Sequence, residues 1–159
     1  MKTCLTLALG LAMSTAVWAA ADSHAGHHTG SPPGVAPAAR KPLSFPPALK
    51  AETLANMRDH LLAIQEITAH LADKQFDAAA EVAETRLGIS SLQRHGAHEV
   101  ARYMPEGMRQ IGHGMHQAAS RFAVVAQEAG ATGDVGPALR ALSQVQASCV
   151  SCHAAYRLK

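Results

Sequence analysis

From Leu54 onward apolar residues return at every third or fourth position. Leu54, Met57, Leu61, Ile64, Ile67 and Leu71 form one stripe, the mark of a helix with a core-facing side. This spacing predicts a first helix from about Lys50 to Ala72. Asp77 is placed to cap a second, carrying Ala80, Ala83 and Leu87 and weakening at Gly88. Ile89 to Met104 is less regular and leads to Pro105, which suits the first turn of a third helix. There Met108, Ile111, Met115, Ala118, Phe122 and Val125 repeat by three and four, with a stop expected at Gly130. Asp134 can cap a fourth helix, with Pro137 in its early turns and Leu139, Leu142, Val145, Cys149, Cys152 and Tyr156 inside. Four amphipathic helices with short connections predict an all-α fold, an antiparallel four-helix bundle.

The pattern changes upstream of Leu49. Pro32, Pro33, Pro37, Pro42, Pro46 and Pro47 fall among Gly, Ala, Ser and His, so residues 22–48 read as a disordered His/Pro-rich linker and 49–159 as the folded domain. Before the linker, Met1-Lys2 gives a basic start, Leu5 to Val17 an apolar core, and Val17-Trp18-Ala19 or Ala19-Ala20-Ala21 a small-residue cleavage site. Residues 1–21 therefore read as a secretory signal peptide. The apolar stretch is too short to span a bilayer, so no membrane anchor is expected after processing. Cys4 precedes the apolar core, the wrong place for a lipoprotein cysteine, and leaves with the signal.

Composition narrows the function. Aromatics make up only 4% of 159 residues and the formal charge is +2. No basic patch with interleaved aromatics offers itself to nucleic acid. Outside one motif near the C-terminus the chain carries no Ser/His/Asp or Cys/His arrangement, no paired catalytic carboxylates and no phosphate loop, so an enzyme is not expected. What it does carry is Cys149-Val150-Ser151-Cys152-His153 near the C-terminus. Cys-x-x-Cys-His is the attachment signature of a c-type haem. Its thiols join the porphyrin as thioethers and its imidazole ligates the iron. On a helix Cys149, Cys152 and His153 share one face. A zinc site would need a second ligand pair at regular spacing, and a thioredoxin-like motif would open a helix after a strand. In an oxidising compartment the two thiols would otherwise form a plain disulfide. One covalent haem c is the expected cofactor.

With this motif at the end of a four-helix pattern, the chain resembles the class II c-type cytochromes typified by cytochrome c prime. The likeness covers about Leu49 to Lys159 and includes Tyr156 and Arg157 after the haem histidine. It implies haem held covalently by the C-terminal helix, His153 as the proximal iron ligand, and Arg157 beside that imidazole or a propionate. It also implies a periplasmic location. Ala51-Glu52-Thr53-Leu54-Ala55-Asn56-Met57 further resembles the start of the soluble b-type four-helix cytochrome, whose first-helix Met is an axial ligand. Met57 is thus the expected second ligand, with His60, one turn on, as its substitute. A thioether suits low-spin iron and raises the reduction potential. The expected function is a mono-haem cytochrome carrying single electrons to or from a redox partner protein that the sequence does not name. Two alternatives stand beside it. Leu61 or Leu62 over the iron would give a five-coordinate protein binding nitric oxide or carbon monoxide. Pairing of two bundles into a homodimer, as relatives do, is left open.

The second alternative is copper or nickel handling. His95-Gly96-Ala97-His98 and His113-Gly114-Met115-His116, with Met104 and Met108 between, put imidazoles and thioethers at ligand spacing. If cleavage follows Ala21, Asp22-Ser23-His24 would also offer a free amine and a third-position imidazole to Cu(II) or Ni(II), with His27 and His28 accessory.

Overall fold

The computed structural model describes residues 39–159 and is all-α apart from one pair of three-residue strands. The expected signal peptide, the metal-binding tail at Asp22 and most of the linker lie outside the described residues. In chain order the elements are β1 (Lys41–Leu43), α1 (Pro47–Ala72), α2 (Phe76–Arg86), a 3-10 turn (Ile89–Ser91), α3 (Ala97–Ala101), α4 (Glu106–Thr132), α5 (Gly136–Ala155) and β2 (Tyr156–Leu158). Four long helices answer to the four expected ones. α1 packs on α2, α2 on α4 and α4 on α5. No helix among the described residues is long and apolar enough to cross a membrane.

Several boundaries differ from the sequence pattern, each for a local reason. Asp77 does not cap α2; Gln75 holds that position, and Asp77 lies in the first turn, where its charge meets the positive end of the helix. α4 passes through Gly130 and stops at Gly133, whose left-handed φ of 72° lets its amide bond the carbonyl of Ala129 at 2.8 Å. Gly130 serves contact instead: a Cβ there would come within 3.3 Å of the Phe76 Cβ, so the glycine lets α2 and α4 approach. Asp134 stands two residues before α5 begins, its Oδ1 accepting from the Gly136 amide at 2.9 Å. The irregular stretch contains α3, a short helix the pattern did not foresee.

Two corrections concern the ends. Tyr156 does not continue α5; it opens β2, which pairs in parallel with β1, Lys41 opposite Tyr156 and Leu43 opposite Leu158. The Lys159 amide extends the pairing to the carbonyl of Leu43 at 3.0 Å. Lys41–Leu43, within the stretch expected to be linker, is thus paired strand, and Leu43 is buried. A local pattern cannot reveal pairing between segments this far apart.

The core lies toward one end of the helices. Ala63, Ile67 and Leu71 of α1 meet Phe76, Ala80 and Ala83 of α2, Phe122 and Ala126 of α4, and Leu142 and Val145 of α5. Alanine dominates these contacts, which lets the helices lie close. Arg86, closing α2, adds a polar tie to α1: Nε donates to Asp59 Oδ2 at 3.2 Å, and Nη1 pairs with Glu66. The Arg86 guanidinium holds the Asp59 carboxyl below its ordinary value, so this tie is fully present above the carboxylate range and fades as pH falls through it. Arg86→Ala is expected to cost about 1–3 kcal/mol at neutral pH, because the carboxylates are half exposed and solvent takes up part of the loss. Urea unfolding followed by helical circular dichroism measures it.

The expected stripe on α1 splits in two. Its later half is core, but Leu54, Met57 and Leu61 are exposed, Leu61 at 72%. On α5 Leu139 also faces outward. Periodicity marks a face as apolar without saying what covers it.

Candidate functional site

The uncovered half of α1 faces a cleft. Two adjoining cavities of about 530 and 550 Å³ share Met57, His60, Met115, Cys152 and His153 in their walls. Each lies in the range of small-molecule and cofactor sites. α1 contributes residues from Lys50 to Ile64, α4 its first three turns, and α5 its last three. Met57 and the Cys-x-x-Cys-His segment, some ninety residues apart in sequence, thus border the same space.

Within α5 the helix period does what the spacing predicts. Cys149, Cys152 and His153 all line the second cavity, and the latter two also line the first. Both cysteines are free thiols, half-buried. Burial pushes both thiols up from their ordinary value, and for Cys152 the neighbouring Cys149 adds to it. They are neutral at pH 7. Cys149 also packs against the core, its Sγ 3.5 Å from the Val145 carbonyl. His153 is exposed on the helix.

Arg157 stands elsewhere than expected. It sits on β2 rather than one helical turn after His153, yet it still lines the first cavity. Arg40 and Lys50 line the same cavity, and no carboxylate shares that wall. The strand pair explains the grouping, since it brings the start of the folded part beside the end of the chain; Lys50 Nζ also donates to the Lys159 carbonyl. Sequence reasoning missed Arg40 and Lys50, because only the β1 and β2 pairing carries them to the cleft. This rim has the chemistry to hold carboxylates of a bound group. Met104, Met108 and Met115 line the cavity with soft, adaptable thioether surface.

The chain matches no protein-family model, no curated protein and no solved structure. The site must be read from its own residues. Their donor set fits a covalently held haem: two thiols and an imidazole on one helix, a thioether on the facing helix, apolar walls, and cations at one rim. His60 also lines both cavities, and burial with His95 and His116 beside it pushes its imidazole down to about 4. It is neutral at pH 7, so it has a free lone pair for a metal.

The expected pairing of His95 with His98 and of His113 with His116 does not form. His98 and His113 are exposed, whereas His95 and His116 are buried beside His60. The pattern had read neighbours along the chain; the fold joins one member of each pair to a third residue.

Proposed function

We propose that this chain is a periplasmic mono-haem c-type cytochrome, an antiparallel four-helix bundle of the cytochrome c prime kind that carries single electrons. The observation that carries this reading is the convergence of Met57 with Cys149, Cys152 and His153 on one cleft. Haem supplies one-electron chemistry when bound. The residues of the chain do the rest. Cys149 and Cys152 anchor it as thioethers from α5, and His153 offers its imidazole from the same face. Met57 offers a thioether from α1, with His60 one turn behind as its substitute. Arg40, Lys50 and Arg157 take the propionates, and the methionine-rich walls keep water from the ring. Ligands on two long helices that share a core move little when the charge changes, which favours transfer to a partner protein over chemistry on a substrate.

Spectra of the purified protein test the reading. The oxidised form is expected to be low-spin with a sulfur-to-iron band, and the reduced form indifferent to carbon monoxide. Met57→Ala is expected to abolish that band and open the iron to carbon monoxide. A high-spin spectrum that responds to carbon monoxide in the unaltered protein would replace Met57 ligation with the five-coordinate, gas-binding alternative. Absence of haem absorbance would overturn the whole assignment.

A further inference from the structure

Helix α4 carries Gly107, Gly112, Gly114 and Gly130. Glycine is a poor residue for a helix interior, because its backbone loses more freedom on folding than that of alanine. Two of these glycines answer to a neighbour: a Cβ at Gly107 would come within 2.9 Å of the Tyr156 hydroxyl, and one at Gly130 would press on Phe76. At Gly112 an added Cβ would meet nothing within 4 Å. The packing of the chain itself therefore gives no reason for the missing side chain. The same holds at Gly114.

The two positions differ in what they face. Gly112 lines both cavities of the cleft, and Gly114 lines neither. Gly112 shares that double position with Met57, His60, Met115, Cys152 and His153, so it stands at the junction where the cavities meet. Met108 and Met115, one turn before it and one turn after, lie on the same face of α4 and also border the cleft. The wall at Gly112 is thus a notch between two thioether side chains. Cys149 borders the second cavity alone, whereas Arg40, Lys50 and Arg157 border the first alone. A rigid group joined to Cys149 at one end and paired with those cations at the other has to pass through the junction.

We propose that Gly112 is the position that fits the cleft to a flat macrocycle: with no side chain there, the ring of a bound haem lies across the junction against the α4 backbone, joining the cysteine side of the cleft to its cationic rim. This inference rests on the haem reading and adds to it the residue that sets what the cleft admits. Gly112 offers no ligand, charge or hydrogen-bonding side chain; what it supplies is clearance. A molecule small enough for one cavity would not need that clearance. A branched side chain at 112 would fill the junction and divide the cleft into two separate pockets, each without one end of the cofactor's anchorage.

The test compares the purified, haem-loaded protein with its Gly112→Leu and Gly114→Leu variants, each read for haem mass, helical circular dichroism, and absorbance with and without carbon monoxide. All three are expected to be equally helical, since leucine is a better helix former than glycine and neither site has a neighbour to clash with. Gly114→Leu is expected to keep the unaltered spectrum. Gly112→Leu is expected to keep the covalent haem mass, because Cys149 and Cys152 are untouched, but to unseat the ring. Its spectrum then departs from the unaltered one, and the affinity of its reduced form for carbon monoxide changes by about tenfold or more, the scale of a side chain forced into filled space. Alanine gives a second reading that needs no large side chain. From helix propensity alone Gly112→Ala and Gly114→Ala would each favour folding by about two- to fivefold; in the loaded protein only Gly114→Ala is expected to show that gain in urea. The inference alone is overturned if both leucine variants carry haem and match in spectrum and carbon monoxide affinity, or if, where Gly112→Leu does not fold, the two alanine variants gain equally. An unaltered chain without haem overturns the haem reading and this inference with it.

Discussion

Replacing Cys149 and Cys152 together by alanine is expected to leave a helical, folded chain with no covalently attached haem, a complete loss of the covalent product. The two thiols are the only cysteines besides Cys4, so nothing else can form the thioethers. The fold is expected to survive, because Cys149 only borders the core and Cys152 is half-buried; exchanging each for alanine removes one small atom at a cost of about 1 kcal/mol apiece. Mass spectrometry of the denatured protein reads the result directly. The unaltered chain is expected to carry the mass of one haem, each single variant a weakened one-thioether attachment, and the double variant none. A double variant that still held haem through denaturation would contradict the assigned role of the motif.

Acid is expected to weaken the fold steeply through His60. Its folded value of about 4 lies below the ordinary 6.5, so as pH falls the unfolded chain takes up a proton first. Stability is therefore full above 6.5, declines between 6.5 and about 4, and levels off below. At 1.4 kcal/mol per unit the loss from His60 alone is about 3 kcal/mol, with no discount for exposure because the residue is buried. His95 and His116 shift the same way. Asp59 opposes the shift at His60, while Arg86, His95 and His116 reinforce it; Arg94 reinforces it at His95, and His113 at His116. Urea midpoints of the purified protein at pH 7, 5.5 and 4 would show the decline. His60→Leu is expected to flatten it, and an unchanged slope in that variant would refute this account.

Much of the helical framework was legible along the chain. The stripes on α1, α4 and α5 announced three of the long helices to within a few residues, because alternation with a period near 3.6 needs only local information. The motif at Cys149 was equally plain, since one helix carries all three of its groups. What stayed hidden depends on distant segments meeting. Nothing near Tyr156 indicates that Lys41 will draw it out of α5, and so the cations Arg40 and Lys50 could not be assigned to the cleft. His60, His95 and His116 come from three separate elements, and the eye pairs His95 with His98 instead. Leu54 and Leu61 fit a core stripe perfectly well in sequence, yet the helices part before reaching them.

The parallel sense of the strand pair also has a mechanical meaning. Because β1 and β2 run in the same direction, a pull on Lys41 toward the start of the chain and on Leu158 toward its end drags the strands lengthwise past each other. Their hydrogen bonds then bear tension side by side instead of opening in turn like a zip. The pair that closes the folded part thus acts as a shear joint, and under stretching it would hold until its rungs fail as one, keeping the cationic rim of the cleft assembled until that moment.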